Sequence, residues 1–219
     1  MQKLQSFFLV LILFLLTGFY THQEDVIRVA CVGDSITYGS GIENREVNSY
    51  PAQLQKMLGP GWEVQNFGIS GATMLKKGDK PYWELEAFQQ AQDFNPDVVV
   101  IKLGTNDTKP QNWKYGEQYE ADYRAMVQSF QRLDSQPEIW ICLPAPVFED
   151  RFGITASVVD EEVLPAIRQV KKKEKVKLIN LYRALQKKPE LFPDGVHPDA
   201  EGAKIIARTV AKKIQKVSG

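Results

Sequence analysis

The sequence predicts an α/β fold: a flavodoxin-like three-layer sandwich with a central five-stranded parallel sheet in the order 2-1-3-4-5. Two observations predict it. Five short apolar runs alternate with longer stretches whose apolar residues keep the helical period, the pattern of βαβ units with right-handed crossovers. The first run is nearly unbroken, as expected of a strand covered on both faces, while Trp62–Phe67 alternates. At 219 residues the chain is long enough for one such domain with a substantial core. No period of 20 to 50 residues and no low-complexity linker divides it.

The first strand is Val26–Val32, apolar except for Arg28, and it breaks into Gly33-Asp34-Ser35. A polar loop leads to a helix that starts near Ser49, with Pro51 in its first turn and Leu54, Met57 and Leu58 on one face. Trp62–Phe67 is the second strand and stops at Gly68-Ile-Ser-Gly71. A long connection containing Lys80-Pro-Tyr-Trp83 precedes a helix over about Glu84–Asp93. Asp97–Leu103 is the most apolar strand, belongs at the sheet centre, and breaks at Gly104-Thr-Asn-Asp107. After a loop with Trp113 and Tyr115, Tyr119–Leu133 carries a clear 3.6-residue apolar period. Glu138–Leu143 is strand four, Val163–Val170 lies on a helix, and Val176–Leu181 is strand five. A polar connection and Phe192-Pro-Asp-Gly-Val-His-Pro198 lead to a final helix over about Ala200–Val217.

Lys3 followed by the ten apolar residues Phe7–Leu16 fits a secretory signal peptide, because a bilayer span needs about 20. Residues 1–22 are therefore expected to be a signal peptide cleaved within Thr17–Gln23, with the working domain over 23–219 and a periplasmic or extracellular destination. Removing Lys3 leaves 26 basic against 27 acidic residues, which gives no support for a nucleic-acid partner. The run Lys171–Lys175 reads as a solvated helix C-terminus. Two cysteines in an exported chain invite a disulfide. In the expected strand order, however, Cys31 and Cys142 are two strand spacings apart, about 9.6 Å, beyond the reach of a bridge. With so few histidines and no cysteine pair at ligand spacing, neither a metal nor a cofactor is expected.

The chemistry gathers at strand ends. In a parallel sheet the carboxyl ends of the strands share one edge, where ligands bind. Gly33-Asp34-Ser35, Gly68 and Gly104-Thr-Asn106 should therefore meet. Ser35 is a candidate nucleophile, and its own N–H, the N–H of Gly68 and the amide of Asn106 are candidate donors to an oxyanion. A serine needs a base. His22 falls in the expected signal peptide, so His197 is the imidazole available, three residues after Asp194, which is placed to fix its tautomer. The chain order Ser, Asp, His is that of α/β-hydrolases, but no G-x-S-x-G elbow is present. Taken singly, Ser35 also fits a helix N-cap, Asn106 a turn residue, and His197 a loop histidine. Asp34 and Asp107 read as acceptors for loop N–H groups. Tyr82, Trp83, Trp113 and Tyr115 lie in loops over the site; each alone fits loop packing, and as a set they fit a substrate-binding wall for sugar rings.

Gly33-Asp-Ser-Ile-Thr37, Asn66-Phe-Gly-Ile-Ser-Gly71, Gly104-Thr-Asn-Asp107 and Asp194-Gly-Val-His-Pro198 together resemble the four motif blocks of the SGNH (GDSL-like) hydrolases, in the same order and over the chain from about Arg28 to its end. The resemblance implies Ser35 as nucleophile, Asp194 and His197 completing a triad, and Ser35, Gly68 and Asn106 as the oxyanion hole. Ile36 replaces the Leu of some members. The block spacing and Lys109-Pro110 after the third block look most like bacterial carbohydrate O-acetylesterases. The resemblance thus implies a small-molecule or glycan ester as substrate. A lysophospholipase or thioesterase-like acylhydrolase and a non-catalytic glycan-binding relative are the alternatives.

Overall fold

The computed structural model describes residues 26–215. The expected signal peptide and the last residues of the chain lie outside the described residues. Five parallel strands, β1 (Ile27–Gly33), β2 (Trp62–Gly68), β3 (Val98–Lys102), β4 (Glu138–Leu143) and β5 (Lys177–Asn180), form one sheet in the order β2-β1-β3-β4-β5. This is the order expected from the sequence. The main helices are α1 (Ser35–Tyr38), α2 (Tyr50–Leu58), α3 (Glu86–Asp93), α4 (Tyr119–Gln131), α5 (Leu164–Glu174), α6 (Leu181–Leu185) and α7 (Ala200–Ile214), with further helical turns of three to five residues between them.

The pleat sends alternate side chains to opposite faces and so builds two cores. Ala30, Val32, Val99, Ile101 and Ile141 pack under α3, α4 and α5. Val29, Cys31, Val98, Val100 and Cys142 pack under α2 and α7. Each face buries its own apolar set, so a one-residue slip of any inner strand would exchange the two sets and mispack both cores. The register is therefore fixed, and it aligns the functional edge: Gly33 pairs with Gly68 on one side and with Lys102 on the other. Three strands thus end level, and the turns that follow them face one another.

Both cysteines are free and buried, with β3 between their strands. Burial pushes the Cys31 thiol up to about 12, so it behaves as a small apolar side chain. The fifth strand is shorter than its apolar run. The Asn180 side chain accepts from the Arg183 N–H and starts α6 at Leu181, where the sequence reading has strand and then polar loop. Among the described residues no helix is long and apolar enough to cross a membrane.

Candidate active site

Ser35 opens α1 directly after β1 and is 7% exposed. The N-cap of that turn is Asp34, whose Oδ1 accepts the Ile36 N–H at 3.0 Å. Asp34 does the capping, so the Ser35 hydroxyl is left for another partner. That partner is His197, with Nε2 2.9 Å from Oγ. Nδ1 of the same ring lies 2.7 Å from Asp194 Oδ2. A carboxylate only accepts, so the proton sits on Nδ1 and the Nε2 lone pair faces the serine.

Asp194 is held by its own loop. Its Oδ1 accepts the N–H groups of Val196 and His197 at 2.9 and 2.7 Å. Partial burial acts to raise its pKa, but those two N–H groups and the His197 ring outweigh it, and the carboxyl stays below the usual carboxylate range. The loop then passes into α7, where Asp199 accepts the Gly202 N–H at 2.8 Å. A local turn and a helix cap thus hold Asp194 and His197, three residues apart, against Ser35, 162 residues away from His197.

The turns after β2 and β3 interlock. Asn106 is 4% exposed, and its Nδ2 donates to the Ala72 carbonyl at 3.2 Å. The neighbouring Asp107 accepts the N–H groups of Met74 and Leu75 at 3.0 and 2.7 Å. Burial pushes Asp107 up to about 7; the Leu75 and Met74 N–H groups partly offset this, and the charge of Asp34 adds to it. Asn112 extends the clamp, donating to the Asn106 carbonyl at 2.9 Å and to Asp79 Oδ1 at 3.0 Å. The segment over 72–80 is therefore laced to the segment over 106–112.

Gly68 does not fill the part expected of it. Its N–H is already engaged, donating to Asn66 Oδ1 at 2.9 Å, while Asn66 Nδ2 donates to the Thr37 carbonyl at 2.9 Å. A Cβ at Gly68 would fall 2.3 Å from the Tyr38 nitrogen, so this glycine serves the close approach of β2 to α1. The other glycine of the turn, Gly71, has a φ of +84°, and among the described residues its N–H finds no acceptor. It adjoins Ala72, the residue that the Asn106 amide touches.

The four loop aromatics do not form an open wall. Tyr82 is wholly buried, with its hydroxyl donating to the Phe67 carbonyl at 2.6 Å, so it has no surface to offer a substrate. Trp83 donates from Nε1 to the Met74 carbonyl at 2.9 Å and packs edge-on against Phe88. Trp113 packs against Tyr119. Tyr115 is half-buried on the same core, with Lys77 and Lys114 over its ring. Aromatics in a polar loop carry the area that ties the loop to the sheet, and these do so.

Two further residues at the site have only a weak signature in the sequence. Lys102 ends β3 fully buried, with Nζ on both carboxylate oxygens of Asp34 at 2.9 and 2.8 Å. A single lysine inside an otherwise apolar central strand is the signal, because such a charge must find a buried anion. Phe152 lies in the loop after β4 with its ring centroid 5.6 Å from that of His197. The sequence marks that loop only as long and partly apolar. A cleft of about 60 Å3 beside His197 is lined by Ser40, Gly41, Pro193, Asp194, Pro198 and Asp199.

A buried serine, an imidazole oriented by a carboxylate, and a neighbouring amide and free N–H are the parts needed for acyl transfer. Comparison with known proteins agrees. An acetylxylan esterase of Xylanibacter ruminicola is 41% identical over 211 residues, a match covering 88% of this chain and 44% of that protein. This chain thus spans less than half the length of that curated relative. The crystal structure of a carbohydrate acetylesterase family member from Sinorhizobium meliloti superposes with a TM-score of 0.69 at 25% identity, covering 87% of this chain and 98% of that one. The aryl esterase of M. smegmatis shares the fold with a TM-score of 0.70 at 17% identity, covering 87% and 99%. The model of the GDSL-like lipase/acylhydrolase family matches residues 31–205, and the chain belongs to that family.

Proposed function

We propose that the protein is an exported serine esterase that removes O-acetyl groups from a carbohydrate. The observation that carries the reading is the relay at 2.9 Å from Ser35 Oγ to His197 Nε2 and 2.7 Å from His197 Nδ1 to Asp194. In this reading Ser35 Oγ attacks the ester carbonyl carbon while its proton passes to Nε2. Asp194, ionised below the usual carboxylate range, stabilises the imidazolium without taking its proton. The carbonyl electrons move to oxygen, where the Ser35 N–H and the Asn106 amide donate. The Ser35 N–H opens a helical turn and so has no acceptor within it. Gly71 supplies the third N–H in place of Gly68, whose own is taken by Asn66.

Collapse of the tetrahedral intermediate expels the alkoxide, which takes the proton from Nε2, and leaves acetyl-Ser35. Water then attacks the acyl carbon, giving its proton to Nε2, and the second collapse returns the proton to Ser35 and releases acetate. No step requires a cofactor. The carbohydrate substrate rests on the acetylxylan esterase and carbohydrate acetylesterase relatives, and export on Lys3 and the apolar run Phe7–Leu16.

Hydrolysis of p-nitrophenyl acetate by the wild type and by Ser35→Ala tests the nucleophile. The variant should lose about 10^4-fold or more in kcat, and equal rates would overturn the assignment. Acetate release from an acetylated polysaccharide, set beside an octanoyl ester, tests the substrate class. A preference for the long chain would favour a lysophospholipase-like enzyme.

A further inference from the structure

We propose that Phe152 is the aromatic platform of the alcohol-side subsite and that it takes the apolar face of the pyranose ring carrying the ester. The inference rests on the esterase reading above and specifies where the leaving alcohol lies. His197 Nε2 must protonate the departing oxygen, so the group attached to that oxygen runs past the neighbours of the imidazole. The Asn106 and Gly71 donors surround the carbonyl oxygen instead. Phe152 is the ring next to the imidazole, 5.6 Å between centroids and inclined by 54°.

Two further features of Phe152 are costly without a ligand. At 61% exposure it is the one exposed aromatic side chain among the described residues, the others being buried or half-buried. Its φ of +55° places a bulky side chain in the left-handed region, a strain of about 1–3 kcal/mol that clusters at ligand-contacting positions. The exposure is not that of a loose loop. Phe148 N–H donates to the Gly195 carbonyl at 2.8 Å, Ala156 N–H to Asp150 Oδ1 at 2.8 Å, and Thr155 N–H to Thr108 Oγ1 at 3.0 Å. Ile154, two residues on, is buried. The loop is pinned on both sides of the ring and to both walls of the site.

The surroundings decide the class of alcohol. Glu149, Asp150 and Arg151, which precede Phe152 in the chain, are all exposed, and the cleft at His197 sets Ser40, Asp194 and Asp199 among Gly41, Pro193 and Pro198. One flat apolar face within a polar rim suits a sugar, whose C–H face stacks while its hydroxyls meet the rim. An alkyl chain would need a continuous apolar groove.

The test compares Phe152→Ala and Phe152→Trp with the wild type on an acetylated methyl pyranoside and on methyl acetate, whose leaving group has no ring. Phe152→Ala should lower kcat/KM for the pyranoside about fivefold more than for methyl acetate, a loss carried by KM, and Phe152→Trp should restore the ratio. An equal loss on both esters, carried by kcat, would make the ring a support for His197 and overturn the proposal. So would a pyranoside-to-methyl-acetate ratio that does not move. Failure of the esterase reading is seen separately, as Ser35-independent turnover of methyl acetate before any Phe152 variant is compared.

Discussion

Lys102 Nζ lies 2.9 and 2.8 Å from the two carboxylate oxygens of Asp34 and 3.0 Å from the Thr105 hydroxyl, and neither Lys102 nor Asp34 exposes any side-chain surface. An ammonium has three donors, and all three are used. Asp34 precedes Ser35, and Thr105 precedes Asn106. One buried cation therefore ties the turn that carries Ser35 to the turn that carries Asn106, across the β1–β3 seam.

Removing that cation leaves a carboxylate buried and unpaired. Lys102→Met should cost about 3–5 kcal/mol of stability. Asp34→Asn keeps an acceptor for the Ile36 N–H while removing the charge, so combining it with Lys102→Met should cost at least about 1 kcal/mol less than the two single changes summed. Urea unfolding of the four proteins measures this. Strict additivity would mean that the ion pair carries no coupling.

This relationship marks where sequence reading ran short. The strand ends were legible because glycine and a polar residue punctuate three apolar runs, and a parallel sheet forces those ends together. His197 was legible as the candidate base because only one imidazole lies outside the expected signal peptide. Lys102 carried a signal, a charge in an apolar run, but its partner was not legible, since Asp34 lies 68 residues away. The choice between Gly68 and Gly71 depends on which N–H the Asn66 side chain occupies, and that side chain is oriented by its Nδ2 on the Thr37 carbonyl, 29 residues away. Tyr82 and Phe152 are both loop aromatics, yet one is wholly buried and the other stands in solvent. Composition cannot separate them, because the side of the loop that faces the sheet is set by contacts such as the Tyr82 hydroxyl on Phe67.

Asn106 separates oxyanion stabilisation from loop anchoring. Its amide donates to Ala72 at 3.2 Å, a long bond that a stronger acceptor can displace. Asn106→Ala should lower kcat for p-nitrophenyl acetate by about 10^2–10^3-fold with KM changed little. Its stability cost should stay near 1 kcal/mol, the worth of one hydrogen bond. Steady-state kinetics beside urea unfolding checks both. A stability loss of several kcal/mol with kcat intact would make Asn106 a loop clamp only.

Asp107 gives the fold a pH dependence opposite in sign to that of Asp194. Burial outweighs the Leu75 and Met74 N–H groups and pushes Asp107 up to about 7, above its unfolded value of about 3.9. The neutral form is therefore favoured by the fold. Its contribution is complete below about pH 4 and is lost as the pH rises through 7, with a slope of at most about 1.4 kcal/mol per pH unit. Asp194, with a lowered pKa, contributes above the unfolded carboxylate range and loses that contribution as the pH falls. Asp107→Asn removes only the first effect. One of the Met74 and Leu75 N–H groups then loses its acceptor, so at pH 4.5 the variant should be about 1–2 kcal/mol less stable than the wild type. Towards pH 8 the wild type must ionise a buried carboxylate and the variant need not, so the gap should close or reverse. Urea midpoints across that range measure it, and a gap that stays constant with pH would show that Asp107 does not titrate there.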